Sequence, residues 1–382
     1  MTHSIVGPPT SWERALIASL RAAYAWSVRS SERRAMHEVA RMTGVVMAAH
    51  GPGVGPVTPR EFAKALHGRL GLLPAIADCG DEEIADAVLL SGDCLTDVAF
   101  DLACEYAAPL GEAIDKATWM PSWTRMRAEQ IQQATYSAMI GSGKQEVYVD
   151  SRKFLIEHPA VPSEADLQEL VASTGALLAP NGYQPIPSDQ IHHVGGGTTW
   201  WWACPTCRWP MAVTGNRVRC RYRPHTASYK IVSGAKASAR PSLDRIDSGP
   251  RVATPVAQPG ADAVCVETGI WRFIVVPGAT ELRLYRELTK LGAAVALWPD
   301  LDDYDLLVAV GITEHKVDVK EYRSARRLVD NLRGARSSIE VLLPDTHEYQ
   351  FAILKDALPK SIRVTTERRF LARVRKQLKE HR

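Results

Sequence analysis

Asp305, Asp318 and Lys320 are the residues whose types and spacing point most directly to chemistry. An apolar run at 306–310 follows the first acid, and a second run at 316–320 carries the other two residues. Side chains alternate along a strand, so Asp318 and Lys320 leave from one face and Val317 and Val319 from the other. A hairpin between the two runs would bring Asp305 close to Asp318. Carboxylates placed together hold Mg²⁺ or Mn²⁺ through oxygen, with the Val319 carbonyl as an extra ligand. Such an ion polarises a phosphodiester and activates water, and Lys320 would offset charge in the transition state. Glu281, on the preceding helical stretch, is a further acid able to organise metal or water. A literal Pro299-Asp300 pair offers Asp300 as an alternative first acid. Asp305 is preferred because it abuts the apolar run.

A second constellation is Cys204-x2-Cys207, followed after twelve residues by Cys220-x4-His225. A C-x2-C turn points two thiolates at one ion, and a second knuckle closes a tetrahedral site with no position left for water. Thiolates with one imidazole favour zinc in a structural role. His192 or His193 are the alternatives to His225. The other four cysteines, Cys79, Cys94, Cys104 and Cys265, are scattered and read as small buried apolar residues rather than a disulfide framework.

These residues need elements to position them. Residues 1–143 read as a helical domain, with helical runs at 60–69, 82–107 and 122–139. Residues 144–198 are mixed, with a short strand at 147–149 and a helix opening at Ser163. Residues 199–232 form the zinc ribbon-like element, and 233–260, rich in Ser, Ala, Pro and Gly, read as a linker. From 261 to 382 strand-length and helical runs alternate. The predicted strands include 264–266, 271–276, 294–298, 306–310, 316–319, 339–343 and 362–365. The predicted helices are 279–291, 321–333, 347–358 and 367–379. The expected fold is an α/β domain with a mixed sheet flanked by helices, behind a mainly α N-terminal domain.

The order helix-Glu281, strand, Asp305-strand, Asp318-x-Lys320 strand, helix resembles the PD-(D/E)xK nuclease superfamily, the restriction-endonuclease-like fold. The likeness covers roughly 265–382 and implies Mg²⁺-dependent cleavage of DNA. Asp305 lacks a preceding proline, which departs from the motif's name. Together with the helical N-terminal region and the W-x-C-P-x-C element, the domain order also resembles nucleases encoded beside a prokaryotic PIWI/Argonaute-like protein and a DinG-type helicase. That likeness implies a role in defence against foreign nucleic acid, with those two proteins as partners.

Charge distribution suits a nucleic-acid partner. The net charge is only +3, but residues 199–243 hold eight Lys/Arg and no Asp or Glu, and residues 321–382 hold fifteen against eight. Arg217, Arg219, Arg221 and Arg223 lie among tryptophans, and Arg373, Arg375 and Lys376 lie on the final helix, as candidate phosphate contacts. No apolar run is long enough to span a membrane and no secretory leader is recognisable, so the expectation is a cytoplasmic protein. The rival reading is a zinc-containing nucleic-acid-binding or scaffold protein without catalysis.

Overall fold

The structure is a computed structural model. It describes residues 10–51, 53–107, 125–232, 239–249, 251–322, 324–332 and 339–380. Parts of several predicted elements therefore lie outside the described residues: 122–124 of one helix, 323 and 333 of another, and 233–238 and 250 of the linker. The chain forms two compact units, one within 5–130 and the other within 131–382.

In the first unit, helices Ser11–Ser27, Ala35–His50, Pro59–Ala65 and Asp97–Tyr106 surround an apolar core that includes Leu16, Leu20, Met42, Phe62, Leu70 and Leu102. Their starts are written in the sequence. The Thr58 hydroxyl accepts from the Glu61 N–H while the Glu61 carboxylate accepts from the Thr58 N–H, a reciprocal cap. The predicted helix 82–107 is interrupted by a small hairpin, Leu90–Ser91 with Cys94–Leu95, which turns at Gly92 (φ 57°). That left-handed turn is open to glycine without strain.

The second unit begins earlier than the sequence suggests. The division falls at 130/131, against an expected boundary at 143/144. Residues 147–149, expected as a strand, lie inside the helix Gln145–Glu157. The run Val-Tyr-Val has high strand propensity, but Tyr148, Ser151, Arg152 and Leu155 recur at helical spacing and are buried together. Tertiary burial overrides the local preference. Gly278 allows this helix to approach its neighbour, since a Cβ there would lie 2.3 Å from Ile156 Cδ1.

The middle of the unit is built from short strands. Strands Ala212–Thr214, Arg217–Arg219, Ser228–Val232 and Ser242–Arg245 form a four-stranded antiparallel sheet. Strand Gln258–Pro259 pairs with Thr199–Trp201. The segment read as a linker thus contributes strands to two sheets, a role its Ser- and Pro-rich composition conceals. Strand Val264–Val266 pairs with Ala160–Val161 and Tyr183–Pro185, outside the C-terminal sheet.

The C-terminal sheet is mixed and five-stranded, in the order Ala294–Leu297, Leu306–Val310, Thr313–Val319, Glu340–Leu343, Arg363–Thr366. The first three strands run antiparallel and the last two pairings are parallel. Helices Val276–Leu291, Ala325–Leu332, Phe351–Ala357 and Glu367–Glu380 accompany it. Leu328, Val341, Leu343, Leu354 and Ile362 close one apolar core between sheet and helices. Residues 271–276 were expected as a strand. They form a π-helical turn, Trp271–Val275, that runs into the helix Val276–Leu291. A short apolar run buried on all sides has no periodicity to separate helix from strand.

Candidate functional site

Strand register brings the two aspartates together. Leu306 lies opposite Val317, and the Asp305 N–H donates to the Val317 carbonyl at 3.1 Å. The regular pairing ends at Leu306–Val317, and Asp305 lies just beyond it, close enough to Asp318 for the two carboxylates to act on each other's charge. The Asp305 side chain is then fixed by the Val319 N–H, which donates to Oδ2 at 2.6 Å. Lys320 Nζ sits 2.8 Å from Asp318 Oδ2. Asp305 is buried, while Asp318 and Lys320 are partly exposed at the C-terminal end of the sheet's central strand.

Glu281 reaches the cluster from its helix, but its oxygens are engaged. Arg152 Nη2 donates to Oε1 at 3.1 Å and Oε2 at 2.9 Å, and the Trp298 indole N–H donates to Oε2 as well. Arg152 Nη1 pairs with Asp302, and Nη2 stands 3.9 Å from Asp305 Oδ1. The guanidinium lies over the Trp298 ring at 4.5 Å. Arg152 and Asp302 are the two site residues that the sequence does not reveal. Arg152 is 129 positions from Glu281. Its one sequence signal is a lone cation on the helical stripe of Tyr148 and Leu155.

The link between the first two strands, 298–302, is held from outside. Trp298, Asp300, Leu301 and Asp302 all have left-handed φ, between 46° and 79°, a conformation costly for side-chain-bearing residues. Gln145 Nε2 donates to the Trp298 carbonyl at 2.8 Å and Gln145 Oε1 accepts from the Leu301 N–H at 2.9 Å. Tyr136 donates to the Leu301 carbonyl at 2.7 Å. These clamps position Asp302 against Arg152. The alternative acid, Asp300, lies in this turn and ahead of the strand.

Crowded charge sets the electrostatics. Burial, then the charges of Glu281 and Asp318, push the Asp305 carboxyl well above the usual carboxylate range, against Lys320 and Arg152. Glu281 is raised chiefly by burial, with Arg152 opposing. Burial works against the Lys320 ammonium, but Asp318 and Asp305 outweigh it and raise its pKa, so it stays charged.

The cysteine cluster converges. Cys204, Cys207, Cys220 and His225 place one ligand atom each within 4.8 Å of one another, and the three cysteines are buried. Cys207 and Cys220 sulfurs are 3.8 Å apart, and His225 Nδ1 is 3.5 Å from Cys220 and 3.7 Å from Cys204. Tetrahedral ligands about 2.3 Å (sulfur) and about 2.0 Å (nitrogen) from a common ion fall at roughly these spacings. The quartet could therefore bind a metal such as zinc. His225 joins the cysteines; His192 packs its ring 5.9 Å from Trp202, and His193 is exposed. Burial opposes charge on the His225 ring, yet the Cys207 and Cys204 sulfurs push its pKa up to about 10. Of the other cysteines, Cys79, Cys104 and Cys265 are buried as expected, and Cys94 is exposed.

Two ties join this element to the acidic cluster. The Trp271 indole N–H donates to Cys207 Sγ at 3.3 Å, and Trp271 stacks on Trp209 at 4.2 Å. Trp271 opens the helical segment that continues to Glu281. The Tyr222 hydroxyl donates to Glu321 at 2.6 Å, next to Lys320.

The basic residues divide. Arg217 and Arg219 are exposed on one face of their strand, and Arg217 lies across from Lys230. Arg219's pKa is lowered by burial and by the charge of exposed Arg223. Arg221 pairs with Asp189. On the last helix, Arg373 pairs with both oxygens of Glu340 at 2.6 Å, whereas Arg375 and Lys376 are exposed. Among the described residues no helix is long and apolar enough to cross a membrane.

Comparison with known proteins adds two segments. Residues 278–382 match the family model described as REase associating with pPIWI_RE. Residues 11–162 match the one described as pPIWI_RE three-gene island domain Y. No curated protein and no solved structure matches the chain. The Arg152–Glu281 pair joins one matched segment to the other. The two matches place the chain in the pPIWI_RE three-gene island, with an REase-associated domain over its last matched segment.

Proposed function

We propose that the chain is a Mg²⁺- or Mn²⁺-dependent endonuclease of the PD-(D/E)xK type, with a restriction-endonuclease-like fold over 261–382. It acts on DNA in defence against foreign nucleic acid, alongside a PIWI-like protein and a helicase. The observation that carries this reading is the convergence of Asp305 on the strand end that bears Asp318 and Lys320: Asp305 Oδ2 accepts from the Val319 N–H at 2.6 Å, and Lys320 Nζ lies 2.8 Å from Asp318. The match to an REase-associated family over 278–382 supports it.

The residues fit the ion. Hard divalent cations prefer carboxylate and carbonyl oxygen, and the charge crowding that raises Asp305 is relieved when a cation enters. Asp305, Asp318 and the Val319 carbonyl would hold it. When bound, such an ion polarises the scissile phosphate and lowers the pKa of an attacking water. Lys320, kept charged, donates hydrogen bonds to that water or to the phosphate oxygens. Glu281 acts through Arg152, which it holds beside Asp305. The cysteine quartet takes structural zinc: all four ligands are protein side chains, which leaves no open position for chemistry. Arg217, Arg219, Arg223, Arg375 and Lys376 contact backbone phosphate.

The reading is tested on a substrate panel of duplex DNA, single-stranded DNA, RNA and RNA–DNA hybrid, with Mg²⁺ or with chelator. The expected result is Mg²⁺-dependent cleavage of DNA. Cleavage confined to RNA or the hybrid would move the substrate class. Nucleic-acid binding without cleavage under any divalent ion would favour the non-catalytic alternative.

A further inference from the structure

We infer that the acidic centre takes a single divalent cation, and that the Arg152 guanidinium fills the place a second would need. This rests on the nuclease reading above. Two-ion phosphodiester centres set their metals about 3.5–4 Å apart and share a carboxylate between them. Here the first ion belongs between Asp305 and Asp318. The carboxylates left to build a second position beside Asp305 are Glu281 and Asp302, and Arg152 holds both. Its Nη2 lies 2.9 Å from Glu281 Oε2 and 3.9 Å from Asp305 Oδ1, and its Nη1 pairs with Asp302.

The guanidinium is built in. Its side chain is buried, lies over Trp298 at 4.5 Å, and has the Tyr148 hydroxyl 3.2 Å from Nη1. The carrying helix packs closely on its neighbour, with Ile156 against Gly278. An arginine does not deprotonate to make way for a metal. Both oxygens of Glu281 are taken by Arg152, and one also by the Trp298 indole, so Glu281 does not join Asp305 and Asp318 in a ready-made second cage.

Arg152 is accordingly a positioning residue, and metal counting tests it. Mn²⁺ is titrated into the zinc-loaded full chain and free Mn²⁺ is followed by electron paramagnetic resonance, for wild type, Arg152→Gln and Arg152→Lys. The expectation is one Mn²⁺ in wild type and in Arg152→Lys. In Arg152→Gln a second ion enters, or the first binds on the order of tenfold tighter once a neighbouring positive charge is gone. A purely structural role predicts weaker binding instead, so the sign discriminates. Two ions in wild type, or unchanged or weaker binding in Arg152→Gln, overturns the inference. If Arg152→Gln fails to fold by circular dichroism and zinc content, the wild-type and Arg152→Lys counts decide. Parallel cleavage assays keep the two readings apart. Two ions with cleavage contradicts this inference alone, one ion without cleavage contradicts the nuclease alone, and no ion contradicts both.

Discussion

Asp305 accepts the backbone N–H of Val319 at 2.6 Å, so the strand that carries Asp318 also fixes the carboxylate opposite it. One oxygen of Asp305 is thereby oriented by the sheet and the other faces Arg152. The acid pair is set by backbone register rather than by flexible side chains, which is how a site keeps its geometry before a ligand arrives.

That placement predicts a proton–metal competition. The Asp305 pKa is raised by burial and by neighbouring acids. A raised carboxyl stays protonated to higher pH than an ordinary one, and a metal must displace that proton. Apparent Mg²⁺ affinity should therefore rise with pH until the raised pKa is passed. On the acid side, lost activity should be recovered by adding Mg²⁺. Cleavage measured against Mg²⁺ concentration at several pH values checks this; an acid limb that no amount of Mg²⁺ moves would assign the titration elsewhere.

The zinc element should brace the acidic centre through Trp271. Cys207→Ser removes a ligand and the acceptor of the Trp271 N–H. The expected outcome is loss of about one zinc per chain, a destabilisation of several kcal/mol, and altered fluorescence from the stacked Trp209 and Trp271. Trp271→Phe should keep the zinc and cost about 2–4 kcal/mol, for the missing hydrogen bond, the reduced stack on Trp209 and the space left by a fully buried indole. Metal analysis with thermal unfolding separates the two variants. Full stability of Cys207→Ser without zinc would show that the quartet is only a buried thiol cluster.

The basic residues of the last helix should split by partner. Arg375 and Lys376 are exposed, so replacing either with Ala should weaken DNA binding and lower the slope of log affinity against log salt by about 1. Arg373 is committed to the buried Glu340. Arg373→Ala should instead destabilise the fold, by about 3–5 kcal/mol if Glu340 is left fully uncompensated and less where solvent reaches it. Salt-dependent binding and denaturant unfolding on the same three variants check the division.

Much of the acidic centre is legible in the sequence, because local rules govern it. Asp318 and Lys320 share a face by strand alternation, and the apolar run 306–310 marks where Asp305 must end its turn. The cysteine quartet is legible from spacing alone. What escapes is long-range. Arg152 and Asp302 meet through packing between segments 150 residues apart, and no local pattern records that. The helix through Val147–Tyr148–Val149 and the helical run from Trp271 differ from expectation for two reasons. In the first, the buried stripe of Tyr148, Ser151, Arg152 and Leu155 overrides a strand-prone triplet; in the second, a short apolar run carries too little period to separate helix from strand.

The most direct measurement is metal-dependent nicking of plasmid DNA by wild type and by Asp318→Ala at matched zinc content. Removing one of two metal-holding carboxylates should lower cleavage by at least about 10²-fold while leaving the fold intact. Equal cleavage by the two proteins, or none from wild type with Mg²⁺ or Mn²⁺, would contradict the assignment of Asp305, Asp318 and Lys320 as a nuclease centre.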